Sequence, residues 1–365
     1  MSEKRQPDHQ HQESYGAFTD TSNGHSGVRD VLSGVQGPGE KGGRFIAERT
    51  SHKKFTSIRC GTEAEINRIS QGLYHIALPA PLEGFDHFIN VWLCRREGAF
   101  LVDVGPSSAA TSLIEALERL DVDSLDWILL THIHLDHAGG IGRVVRRFPE
   151  SRVVCHASAI PHLVAPSRLW EGTLKTLGAL AKAYGPIEGV PEERLVDVNR
   201  FVHPFVNAVP TPGHAAHHVS YLMGKTLFIG EAGGVILPVG LDPPYMRPAT
   251  PPKLFLATFI ESLDRLIALK PERLCCGHFG AYSDAVRLMN AHKRQLLLWA
   301  RCVRETLDQD ALEDPVENCL DLLLQTDPWI RGLSQMGIAA QDRERFFMKN
   351  SIRGFIGDLE RQKAL

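Results

Sequence analysis

Thr131-His132-Ile133-His134-Leu135-Asp136-His137-Ala138-Gly139 places three imidazoles and a carboxylate within six consecutive positions. Imidazole and carboxylate suit zinc, iron or manganese, whereas a closed structural zinc site normally uses cysteines at C-x-x-C spacing. No C-x-x-C occurs in the chain. The apolar run Trp127-Ile128-Leu129-Leu130 reads as a buried strand, and Gly139-Gly140 lets the backbone turn into a helix beginning near Ile141. The donors therefore belong on a loop at the carboxyl end of a strand, where α/β proteins usually place chemistry. His132 and His134 alternate with Ile133 and can face one metal; Asp136 and His137 lie just beyond and can serve a second. The alternative is a polar loop of satisfied histidines, against which four donors in six residues argue.

Four further segments stand in order around this stretch. An apolar run ends in Leu101-Val102-Asp103-Val104-Gly105 before it, and Thr211-Pro212-Gly213-His214 follows it. Leu227-Phe228-Ile229-Gly230-Glu231 and Leu274-Cys275-Cys276-Gly277-His278 come later. Together with H-x-H-x-D-H, these segments resemble the metallo-β-lactamase superfamily over roughly residues 70 to 280. The resemblance implies an α/β fold, a four-layer αββα sandwich, with His132, His134 and His214 on a first metal and Asp136, His137 and His278 on a second. It also implies that Asp103 braces the site from behind a ligand and that a carboxylate at 231 bridges the metals. His218, four residues after His214, resembles a second histidine of thioesterase-like members and is read as support for the site or as core. Cys276 is read as a buried structural cysteine, and Tyr282, Trp170 and Tyr245 as packing or pocket wall. The family carries aspartate where this chain has Glu231, and the extra methylene changes its reach. The expectation is therefore a second site weaker than the first, between one and two metals per chain, and a tighter second site on Glu231→Asp. The expected metal is zinc, with iron or manganese as alternatives.

Residues 1 to about 55 are rich in Gly, Ser, His, Asp, Glu and Gln and poor in aliphatic clusters, so a disordered tail is expected there. The superfamily domain is expected over 66–283. It opens on a meander of strands (73–78, 88–93, 99–102) and continues as βαβ units with a helix at 108–120, a strand at 127–130, a helix at 141–148 and a strand at 152–156. A similar alternation is expected after residue 195. Residues 161–186, with Trp170, Leu174, Leu177 and Leu180 beside Gly178 and Gly185, read as one or two inserted helices and a lid. From 284 to 365 Leu288, His292, Leu296, Trp299 and Val303 recur at helical steps, broken near Asp314-Pro315 and Asp327-Pro328. That pattern predicts a C-terminal helical extension whose stripe serves as core or as a homodimer contact.

The 43% hydrophobic content is enough for a large core, and a net charge of −3 gives no electrostatic footprint for nucleic acid or anionic membrane. Seven scattered cysteines do not form a disulfide framework, and no signal peptide or membrane-spanning run is apparent, so a cytoplasmic protein is expected. The chemistry expected is metal-dependent hydrolysis by a hydroxide nucleophile, with Asp136 orienting it and shuttling a proton. A small-molecule thioester or lactone is favoured over a phosphodiester, because neither a basic patch nor a phosphate-binding loop is evident. The alternatives are iron-dependent oxygen or sulfur chemistry of the sulfur dioxygenase kind, and a non-catalytic metal-binding sensor.

Overall fold

Runs of mostly apolar residues pair the first strands into an antiparallel meander: β1 (Glu65–Ser70), β2 (Leu73–Leu78), β3 (Ile89–Arg95) and β4 (Ala99–Val102), of which β2 to β4 are buried almost throughout. β5 (Trp127–Leu129), β6 (Arg152–Cys155) and β7 (Leu195–Asp197) then add in parallel, giving a seven-stranded sheet in chain order. The computed structural model describes residues 63–79, 82–96, 98–309 and 313–364; the expected tail over 1–55 lies outside them. The crossovers are α1 (Ala110–Arg119) between β4 and β5, and a one-turn α2 (Leu135–Ala138) with α3 (Ile141–Arg147) between β5 and β6. The inserted segment between β6 and β7 forms three helices rather than one or two: α4 (Ile160–Val164), α5 (Ser167–Leu177) and α6 (Ala179–Tyr184). Gly178, at φ 53°, makes the extra break between α5 and α6.

The second half differs from the expected βαβ alternation. β7 closes the first sheet instead of opening the second. β8 (Val206–Pro210), β9 (Val219–Met223) and β10 (Thr226–Gly230) pair antiparallel, because their connections are too short for the dozen or more residues a parallel crossover needs. A two-stranded ribbon, β11 (Val235–Leu237) and β12 (Tyr245–Arg247), precedes α7 (Leu256–Ala268). That connection brings β13 (Arg273–Cys276) parallel to β10, and β14 (Ala281–Ser283) closes the order β14-β13-β10-β9-β8.

Side chains on alternate faces of each strand divide the core. Trp92, Phe100, Val102, Leu129 and Val154 of the first sheet meet Tyr221, Phe228 and Cys275 of the second in one apolar layer. Leu101, Ile128 and Val153 point the other way and join Leu113, Leu117 and Val144 of α1 and α3 in a second apolar cluster. Leu227 and Leu274 belong to that cluster too, with Phe259, Leu263 and Leu266 of α7. The C-terminal helices α8 (Ala285–Leu307), α9 (Pro315–Thr326) and α10 (Ile338–Lys363) lie in the same compact unit as both sheets. The stripe Leu288, His292, Leu296, Trp299 and Val303 is buried within this chain, where α8 packs on α7, α9 and α10. Asp314 caps α9 by accepting from the amides of Val316 and Glu317, with Pro315 in the first turn where a missing N–H costs nothing. No described helix is long and apolar enough to cross a membrane.

Candidate metal centre

The donor residues follow the carboxyl ends of β5, β8, β10 and β13, so two sheets deliver them to one edge of the sandwich. His132 and His134 lie on the loop after β5, as the sequence predicts. Asp136 and His137 do not: they sit on α2, whose turn closes through His137 N and Ala138 N to His134 O. Val104 N and Gly105 N both donate to His137 O, which ties the turn to the loop after β4. His214 follows β8, Glu231 directly follows β10, and His278 stands two residues past β13. Gly277 must be glycine here, since a Cβ would come within 2.6 Å of His137 Cε1.

Two donor groups result, His132, His134, His214 and Glu231 in one and Asp136, His137 and His278 in the other, with the ligand atoms of each group within 4.8 Å of one another. His134 Nδ1 lies 3.0 Å from His132 Nε2 and 2.9 Å from His214 Nε2. Glu231 lies between the groups. Its Oε2 is 2.8 Å from His214 Nε2, 3.3 Å from His132 Nε2 and 3.6 Å from His137 Nε2, while Oε1 is 3.3 Å from His278 Nε2. Asp136 Oδ2 stands farther off, 3.8 Å from His278 Nε2 and 4.0 Å from His137 Nε2. It is also the most open of the three carboxylates, at 16% exposure against 10% for Glu231 and 3% for Asp103.

The inward nitrogens of His137, His214 and His278 are aimed by what their rings do on the other side. Asp103 Oδ2 takes His137 Nδ1 at 2.8 Å, and Asp103 is itself held by Thr131 N at 2.7 Å and Thr131 Oγ1 at 2.8 Å. His214 Nδ1 meets Ala249 O at 2.6 Å, and His278 Nδ1 meets Phe88 O at 2.8 Å. His218 contributes no donor to either group. Its Nδ1 meets Thr211 Oγ1 and its Nε2 accepts the backbone N–H of Glu231 at 3.2 Å, which fixes where that carboxylate starts. Cys276 is buried in β13, and burial pushes its thiol up to about 12. Tyr282 donates to Ile236 O and Tyr245 to Glu344, so both are core residues; Trp170 is half-buried on α5.

The donor set fits divalent cations. Three imidazole nitrogens crowded near 3 Å cannot all share protons, yet ligands of tetrahedral zinc stand about 3.3 Å apart. Burial, followed by the charges of neighbouring histidines, holds His132 and His134 well below the usual histidine value, so they stay neutral and keep a lone pair. His137 Nε2 is buried and makes no hydrogen bond among the described residues, as a ligand nitrogen would. Burial opposes the charge of Glu231, but the charge of His214 and the close approach of His132, His137 and His214 outweigh it and hold its carboxyl well below the usual range. A separate cleft of about 420 Å³, lined by Val198, Phe201, Phe205 and Leu222, contains none of these donors.

Sequence reasoning missed Thr131, Phe88 and Ala249, which aim ligands, and Tyr184 of α6. Tyr184 is fully buried, its hydroxyl has no hydrogen-bond partner among the described residues, and after burial itself the charges of Asp136 and Glu231 raise its pKa well above the usual tyrosine value. None carries a motif signal; two act through backbone carbonyls, which any residue type supplies.

A crystal structure of an archaeal metallo-beta-lactamase superfamily protein from Sulfolobus tokodaii shares this fold, with a TM-score of 0.57 at 24% identity over 78% of this chain and 98% of that one. A metallo-beta-lactamase fold-containing protein of Sulfurisphaera tokodaii is 28% identical over 237 residues, 62% of this chain and 85% of that protein. A hydroxyacylglutathione hydrolase of Stenotrophomonas maltophilia is 29% identical over 213 residues, 58% of this chain and 68% of that protein. The family model described as the metallo-beta-lactamase superfamily matches residues 84–278, more than half the chain and every donor described above, and to that superfamily the chain belongs.

Proposed function

We propose that the protein is a metal-dependent hydrolase of a small-molecule acyl bond, a thioester or a lactone. The observation that carries this reading is the convergence of five imidazoles, Asp136 and Glu231 into two adjoining donor groups at one sheet edge. His132, His134 and His214 would hold one cation, Asp136, His137 and His278 another, and Glu231 would bridge them. Zinc suits this nitrogen and oxygen set best, with iron or manganese able to replace it. When bound, such cations make water nucleophilic near neutral pH and polarise a carbonyl. Asp136, the most open carboxylate, orients the attacking water, takes its proton and returns it to the departing sulfur or oxygen. Water thus supplies a hydroxyl to the acyl carbon and a proton to the leaving group. Relatives named hydroxyacylglutathione hydrolase support the thioester end of this range, because an acyl group on glutathione is a thioester.

The test is metal analysis of freshly purified protein, together with hydrolysis of a panel of thioesters, lactones and phosphodiesters. The expected outcome is zinc at one to two per chain and turnover of acyl esters or thioesters, lost in His132→Ala and His134→Ala. Full activity in exhaustively metal-free protein would sink the reading, and iron with oxygen uptake would redirect it to dioxygen chemistry.

A further inference from the structure

The last histidine of each donor group is aimed differently from His137. His137 leans on a buried carboxylate, but His214 and His278 lean on backbone carbonyls, Ala249 O and Phe88 O. A carbonyl aims a ring only as firmly as its own segment is held. Both segments are held by one helix, α10, which lies beyond the residues the family model matches.

On the His278 side, Phe88 stacks on the imidazole, with centroids 3.9 Å apart at 24°. The guanidinium of Arg343 sits over Phe88 at 4.9 Å, over Phe279 at 5.1 Å and over Phe85 at 5.6 Å, and donates to Gly84 O. Gly84 packs so close to α10 that a Cβ there would fall 2.6 Å from the carbonyl carbon of Ala339. On the His214 side, Arg247 is paired with Glu344, and its Nη1 donates to Pro248 O at 3.2 Å. Ser351 Oγ also donates to Pro248 O at 3.2 Å and accepts from Thr250 N at 3.3 Å, so it straddles Ala249. Arg343, Glu344 and Ser351 are all buried, and Arg343 pairs with Glu344 at 2.8 Å.

We infer that α10 is a positioning element shared by both metal groups: Arg343 sets His278 through Phe88, and Glu344 with Ser351 sets His214 through the 247–250 segment. The inference rests on the metal-centre reading above and assigns the C-terminal extension a role in metal binding. The two paths share the Arg343–Glu344 pair, but Ser351 contacts only the 248–250 segment, so the His214 path can be cut by itself at Ser351.

The experiment titrates the metal-free full-length chain with Co2+ and follows the visible absorption of the bound ion. His214→Ala and His278→Ala serve as references that identify which binding step belongs to which group. Ser351→Ala is expected to weaken the step that His214→Ala removes by about tenfold with the other step unchanged, and Arg343→Met to weaken the step that His278→Ala removes by about tenfold, with a smaller effect on the first step through Glu344. Asp327→Asn, in a buried hydrogen-bonded carboxylate of the same helical extension, should lower the thermal midpoint and leave both steps alone. Ser351→Ala loses only a hydroxyl, so it decides the His214 path even if Arg343→Met fails to fold. Unchanged Co2+ binding in folded Ser351→Ala and Arg343→Met would overturn the inference, and so would parallel weakening of both steps in Ser351→Ala. An unaltered chain that binds no Co2+ would instead overturn the metal-centre reading, and this inference with it.

Discussion

At position 231 the longer carboxylate is used at its full reach: one oxygen touches three imidazoles and the other touches His278, while His218 anchors the backbone N–H. This geometry reverses the expectation that aspartate would tighten the second site, because withdrawing the oxygens by about one C–C bond, ~1.5 Å, removes them from both groups. Glu231→Asp should therefore weaken metal binding, and Glu231→Gln should weaken it further by removing the anion; calorimetric titration of metal-free protein separates the steps. Tighter binding in Glu231→Asp would show that the site has not adapted to glutamate. Tyr184 supports a second prediction. Its buried, unpartnered hydroxyl carries a desolvation cost, so Tyr184→Phe should raise stability by about 1 kcal/mol in denaturant unfolding, and a loss of that size would mean the hydroxyl has a partner. The seven residues gathered in the two groups were legible as candidates because they fall in spaced motifs, H-x-H-x-D-H and the segments ending at His214, Glu231 and His278. Thr131, Phe88 and Ala249 were not, because side-chain identity says little about where a hydroxyl or carbonyl from a distant segment lands.

At the scale of elements, strands and long helices were legible from periodicity, and the errors fall where local signals compete. Residues 135–138 read as loop because four residues are too few for a helical period, yet the turn that Gly139 terminates decides where Asp136 and His137 point. The alternation expected after residue 195 begins with a strand at 195–197 that joins the first sheet, a membership that three residues cannot announce. The lid expectation now divides by helix: α5 buries no residue, whereas α6 buries Leu180, Ala181 and Tyr184 and packs on α2. Replacing α5 alone by a short linker should alter substrate preference and leave metal content intact; collapse of metal content with unchanged preference would make the segment scaffold. In α10, burial opposes the charge of Glu344, but Arg247 and Arg343 outweigh it and hold its carboxyl below the usual glutamate value. Its folded pKa is thus depressed, so its stabilisation is present above the unfolded pKa of ~4.3 and is lost as pH falls through the folded pKa. The gap in thermal midpoint between the native chain and Glu344→Gln should narrow on acidification below about pH 4.3; a gap that widens would contradict the pairing.

The whole molecule is organised so that its two sheets and its last helix meet at one edge, and that convergence was only partly readable from the chain. Sheet membership and the path of α10 depend on contacts between residues such as Gly84 and Ala339, or Arg247 and Glu344, which no local pattern announces. What converges there is a cluster of buried imidazoles and carboxylates that the fold must hold together against their own desolvation. A cation that binds the folded site and not the unfolded chain stabilises by mass action, so the stability of the molecule should follow metal concentration. At a free zinc concentration one hundred times the dissociation constant the gain is about 2.7 kcal/mol, equivalent to about 3–4 °C in thermal midpoint for a chain of this size. Calorimetric scans of metal-free protein across several decades of buffered zinc should show the midpoint rising logarithmically, and His137→Ala should flatten that rise because it removes a nitrogen that has no other partner. A midpoint indifferent to zinc across that range would mean that the donor groups do not bind it in the folded state, whatever their arrangement.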